Sequence, residues 1–203
     1  MTLRRWLALC GVGAGVLFAV GTVLGGPSPQ DDASAAKVVS YFHDHLTVTR
    51  ISSLILAIGG VLVVLFAARL RELLQSGEAG GDVLSVAAFG GAVILAGGAL
   101  LDAVVGFALA RAGEHRFAAP AQTLNVLFNN DFFVVTGGIA VLLLATGIST
   151  VRRPLLPRWL GWAAIVIAIL SLAGPIGFLG AVLAIVWLLV VSAVIFRRDR
   201  IVT

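Results

Sequence analysis

Charged residues are scarce in this chain. Asp, Glu, Lys and Arg make up 12% of its 203 residues, whereas an average soluble domain carries about 25%. Apolar residues make up 60%, and the mean hydropathy is +1.07. A water-soluble monomer of this size cannot cover so much apolar surface. The composition therefore excludes a disordered chain, a nucleic-acid-binding module and an ordinary cytosolic enzyme.

Residues that carry chemistry are also few. Cys10 is the only cysteine, which excludes an intramolecular disulfide and a thiolate metal site. There are three histidines, and the sequence contains no HExxH motif, no glycine-rich phosphate loop and no Ser-His-Asp order. We therefore expect no enzyme activity, no cofactor and no nucleic-acid partner.

Long apolar runs are what the chain has in abundance. A membrane-spanning helix needs about 20 apolar residues. The sequence predicts an all-α integral membrane protein, in which a six-transmembrane-helix bundle and a short amphipathic outer helix form one membrane domain over 1–203. The predicted spans are 6–26, 51–68, 83–104, 129–150, 159–173 and 177–196.

The last two predicted spans come from one apolar run, Trp159 to Phe196. This run is too long for a single span. Gly174 and Pro175 lie inside it, and a Gly-Pro pair turns a helical chain. We therefore expect two spans with a turn between them.

The longest polar stretch is the outer segment 27–50. Pro27 and Pro29 follow the first span and end its helix, and we expect Asp31 and Asp32 to cap a new helix after them. The helix itself is predicted over 33–45, because apolar residues recur on one face at helical spacing. Those residues are Ala35, Val38, Val39, Phe42 and Leu46. Such an amphipathic helix is expected to lie on or above the membrane.

Arginines flank the predicted spans. With the N-terminus inside, ten of the fourteen basic residues lie on the cytoplasmic side and four lie outside. The positive-inside rule then predicts six spans with both termini in the cytoplasm. We expect the first span to be retained, because it is longer than the apolar core of a signal peptide. The cytoplasmic set is Arg4, Arg5, Arg69, Arg71, Arg152, Arg153, Arg158, Arg197, Arg198 and Arg200.

Two acidic residues, Asp102 and Asp131, lie inside apolar runs. Each is separated from the cytoplasmic end of its span by about 28 Å of helix, close to the hydrocarbon thickness. Both are therefore predicted near the outer edge of the hydrocarbon, level with Arg50. Acidic residues in a membrane are costly and indicate a functional site by default.

A structural interpretation accounts for these acids without a ligand. Asp131 would cap the fourth span, and Asp102 would pair with Arg50. The segments 103–110 and 119–128 would then extend outward and bury their apolar sides against the outer helix.

A functional interpretation uses the same residues. Glycines at helical spacing share a face with Asp102, which turns this acid toward a neighbouring helix rather than toward lipid. The polar groups are then expected to line an outward-facing pocket for a small polar solute, an ion or a lipid headgroup. The pocket candidates are Arg50, Asp102, Asn125, Asn129, Asn130 and Asp131.

The histidines offer a third interpretation. His43 and His45 are separated by one residue, so they point in different directions on a helix and share a metal only from a strand or loop. A third ligand would have to come from another segment, such as His115. These three histidines are the metal-ligand candidates. In the alternative interpretation, His43 and His45 lie at the membrane interface with their polar ends toward water and bind no metal.

Several stretches resemble a known family. They are Leu156 to Trp162, Gly174 to Gly180, Trp187 to Ser192, and Pro29 to His45. Together they resemble an uncharacterised family of small actinobacterial multi-span membrane proteins, a domain of unknown function. The resemblance implies a bacterial plasma (inner) membrane protein, and it assigns no activity or catalytic residue.

The sequence thus favours a non-enzymatic integral membrane protein that binds or moves a small polar solute, ion or lipid. The alternative is a structural or regulatory accessory subunit of another membrane protein, and a third option is a metal-dependent membrane enzyme. We expect the lipid bilayer as the constant partner, with a second copy of the chain or another membrane protein as further candidates.

Overall fold

The computed structural model describes residues 3–76, 83–153, 155–173 and 177–201. These residues form eight α-helices and no strand, which confirms the predicted all-α fold. The helices are α1 (Leu3–Gly25), α2 (Ala35–Asp44), α3 (Leu46–Gln75), α4 (Val83–Glu114), α5 (Ala118–Asn130), α6 (Phe132–Arg152), α7 (Arg158–Ser171) and α8 (Gly177–Ile201).

In the part of the chain that the structure describes, five stretches are long and apolar enough to cross a membrane, namely α1, α3, α4, the α5–α6 pair and α8. A helix satisfies its own backbone hydrogen bonds, as the hydrocarbon core requires. The chain is therefore a multi-pass helical membrane bundle. Helices α3 and α4 run past the predicted spans 51–68 and 83–104, since no proline interrupts either of them.

The fifth predicted span, 159–173, corresponds to α7, and the sixth, 177–196, lies within α8. Helix α7 has 14 residues and falls short of the roughly 17 that a span needs, so its length does not confirm a sixth span. A Cβ added to Gly177, which begins α8, would lie 3.4 Å from the ring of Phe132, which begins α6. The chain therefore runs back along α6 before α8 begins. The predicted turn at Gly174 and Pro175 lies outside the described residues.

Six of these helices form a closed ring in the order α1, α3, α4, α6, α7 and α8, and α8 packs back against α1. Glycines bring α4 and α6 together. A Cβ on Gly91 would lie 2.3 Å from the backbone nitrogen of Leu142, and one on Gly138 would lie 2.3 Å from that of Leu95. Small residues permit this approach in a bundle that lipid surrounds.

A small cap covers one end of the ring. It consists of α2, α5 and the last part of α4, and we call this end of the molecule the capped end. These helices and Ala33, which precedes α2, share an apolar core made of Ala33, Val38, Val39, Phe42, Val105, Leu109, Ala112 and Ala121. The predicted packing of 103–110 and 119–128 against the amphipathic helix is thus confirmed.

The residue that caps the N-terminus of α2 differs from the predicted one. The backbone nitrogen of Lys37 donates to the Ser34 hydroxyl at 3.4 Å, so Ser34 is the N-cap. The prediction that Asp31 and Asp32 fill this role is wrong, because Asp31 accepts hydrogen bonds from α5 instead. The buried face of α2 is the predicted one.

An ion-pair network holds the opposite end, which we call the arginine-rich end. Arg69 donates through Nε to Oδ2 of Asp199 at 3.0 Å and through Nη2 to Oδ1 at 2.5 Å. It also donates to Glu72, which pairs with Arg4. Both Arg69 and Asp199 are buried. The network ties α1, α3 and α8 together.

Candidate functional site

A cavity of about 310 Å³ lies inside the ring at the capped end, between α1, α3, α4, α6 and α8. Its volume falls at the lower end of the range for small-molecule sites. Ser52 and Val63 both line it and are eleven positions apart on α3, which corresponds to about 16 Å of helix. The cavity therefore extends from the capped end to the middle of the bundle.

The two intramembrane acids lie at the capped end of this cavity. Asp102 comes from α4, and Asp131 comes from the break between α5 and α6. Ser52 and Ser53 of α3 and Thr22 of α1 line the same end. The sequence placed both acids at one height, and the structure brings them to one cavity.

The deeper part of the cavity is apolar. Val63, Leu95, Leu142, Trp187 and Leu188 line it. The indole nitrogen of Trp187 donates to the carbonyl oxygen of Leu160 at 3.0 Å, so the buried ring is held in one orientation against α7. The cavity thus has an acidic end and an apolar body.

The structural interpretation predicted that Asp131 caps the fourth span, but its side chain does not cap α6. It occupies the N-cap position, but its backbone is helical there and its side chain makes no capping hydrogen bond. The residue is 6% exposed, and Oδ2 has no hydrogen-bond partner among the described residues. A carboxylate oxygen left in this state is costly unless a cation or a proton reaches it.

Asp102 does not pair with Arg50. The Arg50 guanidinium pairs with Glu114 at the end of α4, and neither residue lines the cavity. The predicted ion pair is therefore wrong, because α4 continues without a break and brings Glu114 to Arg50. Oδ2 of Asp102 is buried and has no hydrogen-bond partner among the described residues.

The two acids share a cavity that offers them no positive charge. Among the described residues that line the cavity none is basic. Unlike a buried ion pair, this arrangement carries no compensating charge of its own.

The three asparagines that were predicted to line the pocket bind a loop instead. We call residues 26–34, which join α1 to α2, the strap. Nδ2 of Asn125 and of Asn129 donate to the carbonyl oxygen of Pro29 at 3.0 Å and 2.9 Å. Asn129 also donates to Asp31 at 2.7 Å, and Asn130 does so at 3.3 Å. The three amides bind the strap to α5 and do not line the cavity.

The strap lies at the mouth of the cavity. Gly25 and Gly26 line the cavity where α1 ends, and Gly26 adopts a φ of +63°, which glycine allows without strain. Phe128 of α5 lines the cavity and also packs against the core of the cap. The expected outward-facing polar pocket is thus a mainly apolar cavity beneath a cap.

The three histidines do not come together. Nδ1 of His43 lies 3.3 Å from the carbonyl oxygen of Gly113, and Nδ1 of His45 lies 2.8 Å from that of Tyr41. His115 stacks on Phe117. Within the described ranges, no group of three or more His, Cys, Asp or Glu residues has the geometry of a metal site.

Sequence reasoning missed several of the residues that shape the site. Ser52 and Ser53 stand as a polar pair at the start of the apolar run 51–68, which was a visible signal. Trp187 sits within an apolar run and gave no signal of its own. Comparison with protein-family models, curated proteins and solved structures found no match to this chain.

Proposed function

We propose that this chain is a non-enzymatic bacterial inner-membrane protein that binds, and as a carrier moves, a small amphipathic molecule inside its helical ring. The observation that supports this most directly is the cavity, in which two acids, each with a buried carboxylate oxygen that lacks a partner among the described residues, share one end of a mainly apolar space. Polar groups within a membrane are expensive, and evolution retains them where a substrate or ion uses them.

We propose six spans with both termini in the cytoplasm. The return of the chain along α6 before Gly177 supports an additional crossing at α7, which brings the five long stretches to six. The concentration of arginines at the end opposite the cap supports a cytoplasmic arginine-rich end. The cap and the acidic end of the cavity then face the outside of the cell.

Trp187 provides a direct readout of occupancy. The other three tryptophans, Trp6, Trp159 and Trp162, are 57%, 60% and 58% exposed, so a Trp→Phe change at each should leave the fold intact. In the resulting protein, reconstituted in lipid nanodiscs, only the buried indole fluoresces. Bromine quenches indole at short range, so bromoundecanol should quench Trp187 saturably when its chain enters the cavity.

A matched pair of substitutions on α8 tests where the quencher binds. Ala181 lines the cavity, whereas Ala193 is exposed on the outer face of the same helix. We expect Ala181→Phe to abolish saturable quenching and Ala193→Phe to leave it unchanged. Equal quenching in both variants, or none in the parent protein, would contradict the proposed function.

A further inference from the structure

Resting on the proposed function, we infer that the ligand is a single-chain or compact apolar molecule with one protonated amine. Its ammonium group binds between Asp102 and Asp131, and its apolar body extends toward Trp187. Two parts of the cavity support this inference. The acidic end selects the charge of the head group, and the apolar part selects the size and shape of the rest of the ligand.

Charge selects the head group. Two carboxylates face the cavity, each with a buried oxygen that lacks a hydrogen-bond partner among the described residues. With no basic residue among those that line the cavity, a bound cation supplies the missing compensation. A carboxylate or phosphate head would add a further negative charge at the same place and is disfavoured.

Hydrogen-bond chemistry favours an amine over a bare metal ion. A primary ammonium group has three donors. Asp102 and Asp131 provide two acceptors, and the Ser52 hydroxyl provides a third, because its own hydrogen is donated to the carbonyl oxygen of Thr49 at 3.0 Å. Ser53 and Thr22 add two hydroxyl groups at this end, and the rest of the lining is mainly apolar, which suits an ammonium group with an apolar body better than a hydrated metal ion.

Shape selects the apolar body. The cavity is about 310 Å³ in volume and extends over about 16 Å of helix, so it fits a single chain better than a two-chain phospholipid. Thr22 of α1 and Phe178 of α8 line it and are both exposed, Phe178 to 61%. The cavity therefore reaches the outer surface where these neighbouring helices meet, which gives an amphiphile in the bilayer a route inward.

The test compares three quenchers of equal chain length in the protein that retains only Trp187. They are bromoundecylamine, bromoundecanol and bromoundecanoate. We expect the amine to bind about ten- to a hundred-fold more tightly than the alcohol, in line with charge-assisted hydrogen bonds. The carboxylate should bind more weakly than the alcohol.

Conservative substitutions assign the preference to the acids. Asp102→Asn and Asp131→Asn should each remove at least about ten-fold of the amine preference. Quenching by the alcohol should remain, which shows that the cavity is intact. Glu114→Gln is the matched control, because it removes one negative charge at the capped end from a residue that does not line the cavity.

Each other outcome contradicts a specific claim. If the alcohol binds as tightly as the amine, or if both Asp→Asn variants keep the preference, the amine assignment fails while the proposed function stands. If either Asp→Asn variant loses the alcohol as well, the acids support the fold rather than a ligand. Displacement of the amine by millimolar CaCl₂ would assign the acids to an inorganic cation. Absence of saturable quenching by all three probes would overturn the proposed function itself.

Discussion

Arg69 and Asp199 form a two-pronged ion pair that joins α3 to the last turns of α8. Both residues are less than one-tenth exposed, and two separate N–H groups of the guanidinium reach the two carboxylate oxygens. Such paired geometry is the strongest form of a salt bridge. It fixes the arginine-rich end of the ring, whereas the acids at the capped end have no such partner.

The first prediction concerns this pair. Asp199→Asn leaves a buried guanidinium with less compensation, and we expect a loss of about 3 kcal/mol in the free energy of unfolding. Unfolding of the purified protein by SDS titration measures the change. Arg197→Gln, at an exposed position in the same cluster, should cost much less. Equal losses in the two variants would show that net charge matters rather than the pair. Replacing both Arg69 and Asp199 with apolar residues should recover part of the loss.

The second prediction uses two adjacent glycines of α6. A Cβ on Gly138 would lie 2.3 Å from the backbone nitrogen of Leu95, whereas one on Gly137 would meet nothing within 4 Å. Gly138→Ala should therefore push α4 and α6 apart and cost about 2 kcal/mol or more. Gly137→Ala should be neutral or raise stability by up to about 1 kcal/mol, because alanine favours a helix. Thermal unfolding in detergent distinguishes the two, and similar melting temperatures would refute the close approach.

Much of this fold follows from local sequence, and the exceptions have a common cause. Apolar runs and helical spacing predict the positions of the long helices and the buried face of α2, because both depend on neighbouring residues. The partner of Arg50 depends instead on how far α4 extends, whereas the prediction of Asp102 as this partner rests on equal height alone. Equal height in the membrane does not determine which side chains of neighbouring helices point toward each other. In the structure, Glu114 lies beside Arg50.

The candidate site shows the same limit. The sequence predicts Asn125 and Asn129 in a polar pocket, whereas both donate to the same carbonyl oxygen of Pro29. Their role in holding the strap depends on contacts about a hundred residues away along the chain. Arg69 and Asp199 are separated by 130 positions, so neither local spacing nor composition indicated the pair.

The third prediction concerns the strap over the cavity. Asn129→Asp replaces the donor to Pro29 and Asp31 with a group that accepts only, and it places a negative charge beside Asp31. We expect the strap to loosen, which hydrogen–deuterium exchange detects as faster exchange over 27–34. Thr123→Ala, on the same helix, removes only a local bond to Ala119 and should leave exchange unchanged. Unchanged exchange in Asn129→Asp would show that the amide does not hold the strap.

The fourth prediction is a pH effect at the same strap. Tyr41 is the only tyrosine in the chain, and its hydroxyl donates to the carbonyl oxygen of Pro27 at 2.8 Å. Burial raises the pKa of Tyr41 above its ordinary value, which is about 10. The folded state thus holds this proton more tightly than the unfolded state does. Its contribution to stability is complete below about pH 10 and is lost as pH rises through the higher folded pKa.

Absorbance of the single tyrosinate tests this directly. The titration midpoint in the native protein should lie above that of the unfolded protein. The protection of amides over 27–34, which is the exchange rate relative to the intrinsic rate at the same pH, should fall across the same pH interval. Tyr41→Phe lacks both the ionising group and the donor. Its strap should therefore be less protected than the parent's at neutral pH, with no further step of lost protection above about pH 10. A native midpoint at or below the unfolded one would contradict the burial argument. A step that persists in Tyr41→Phe would assign the alkaline opening to another group.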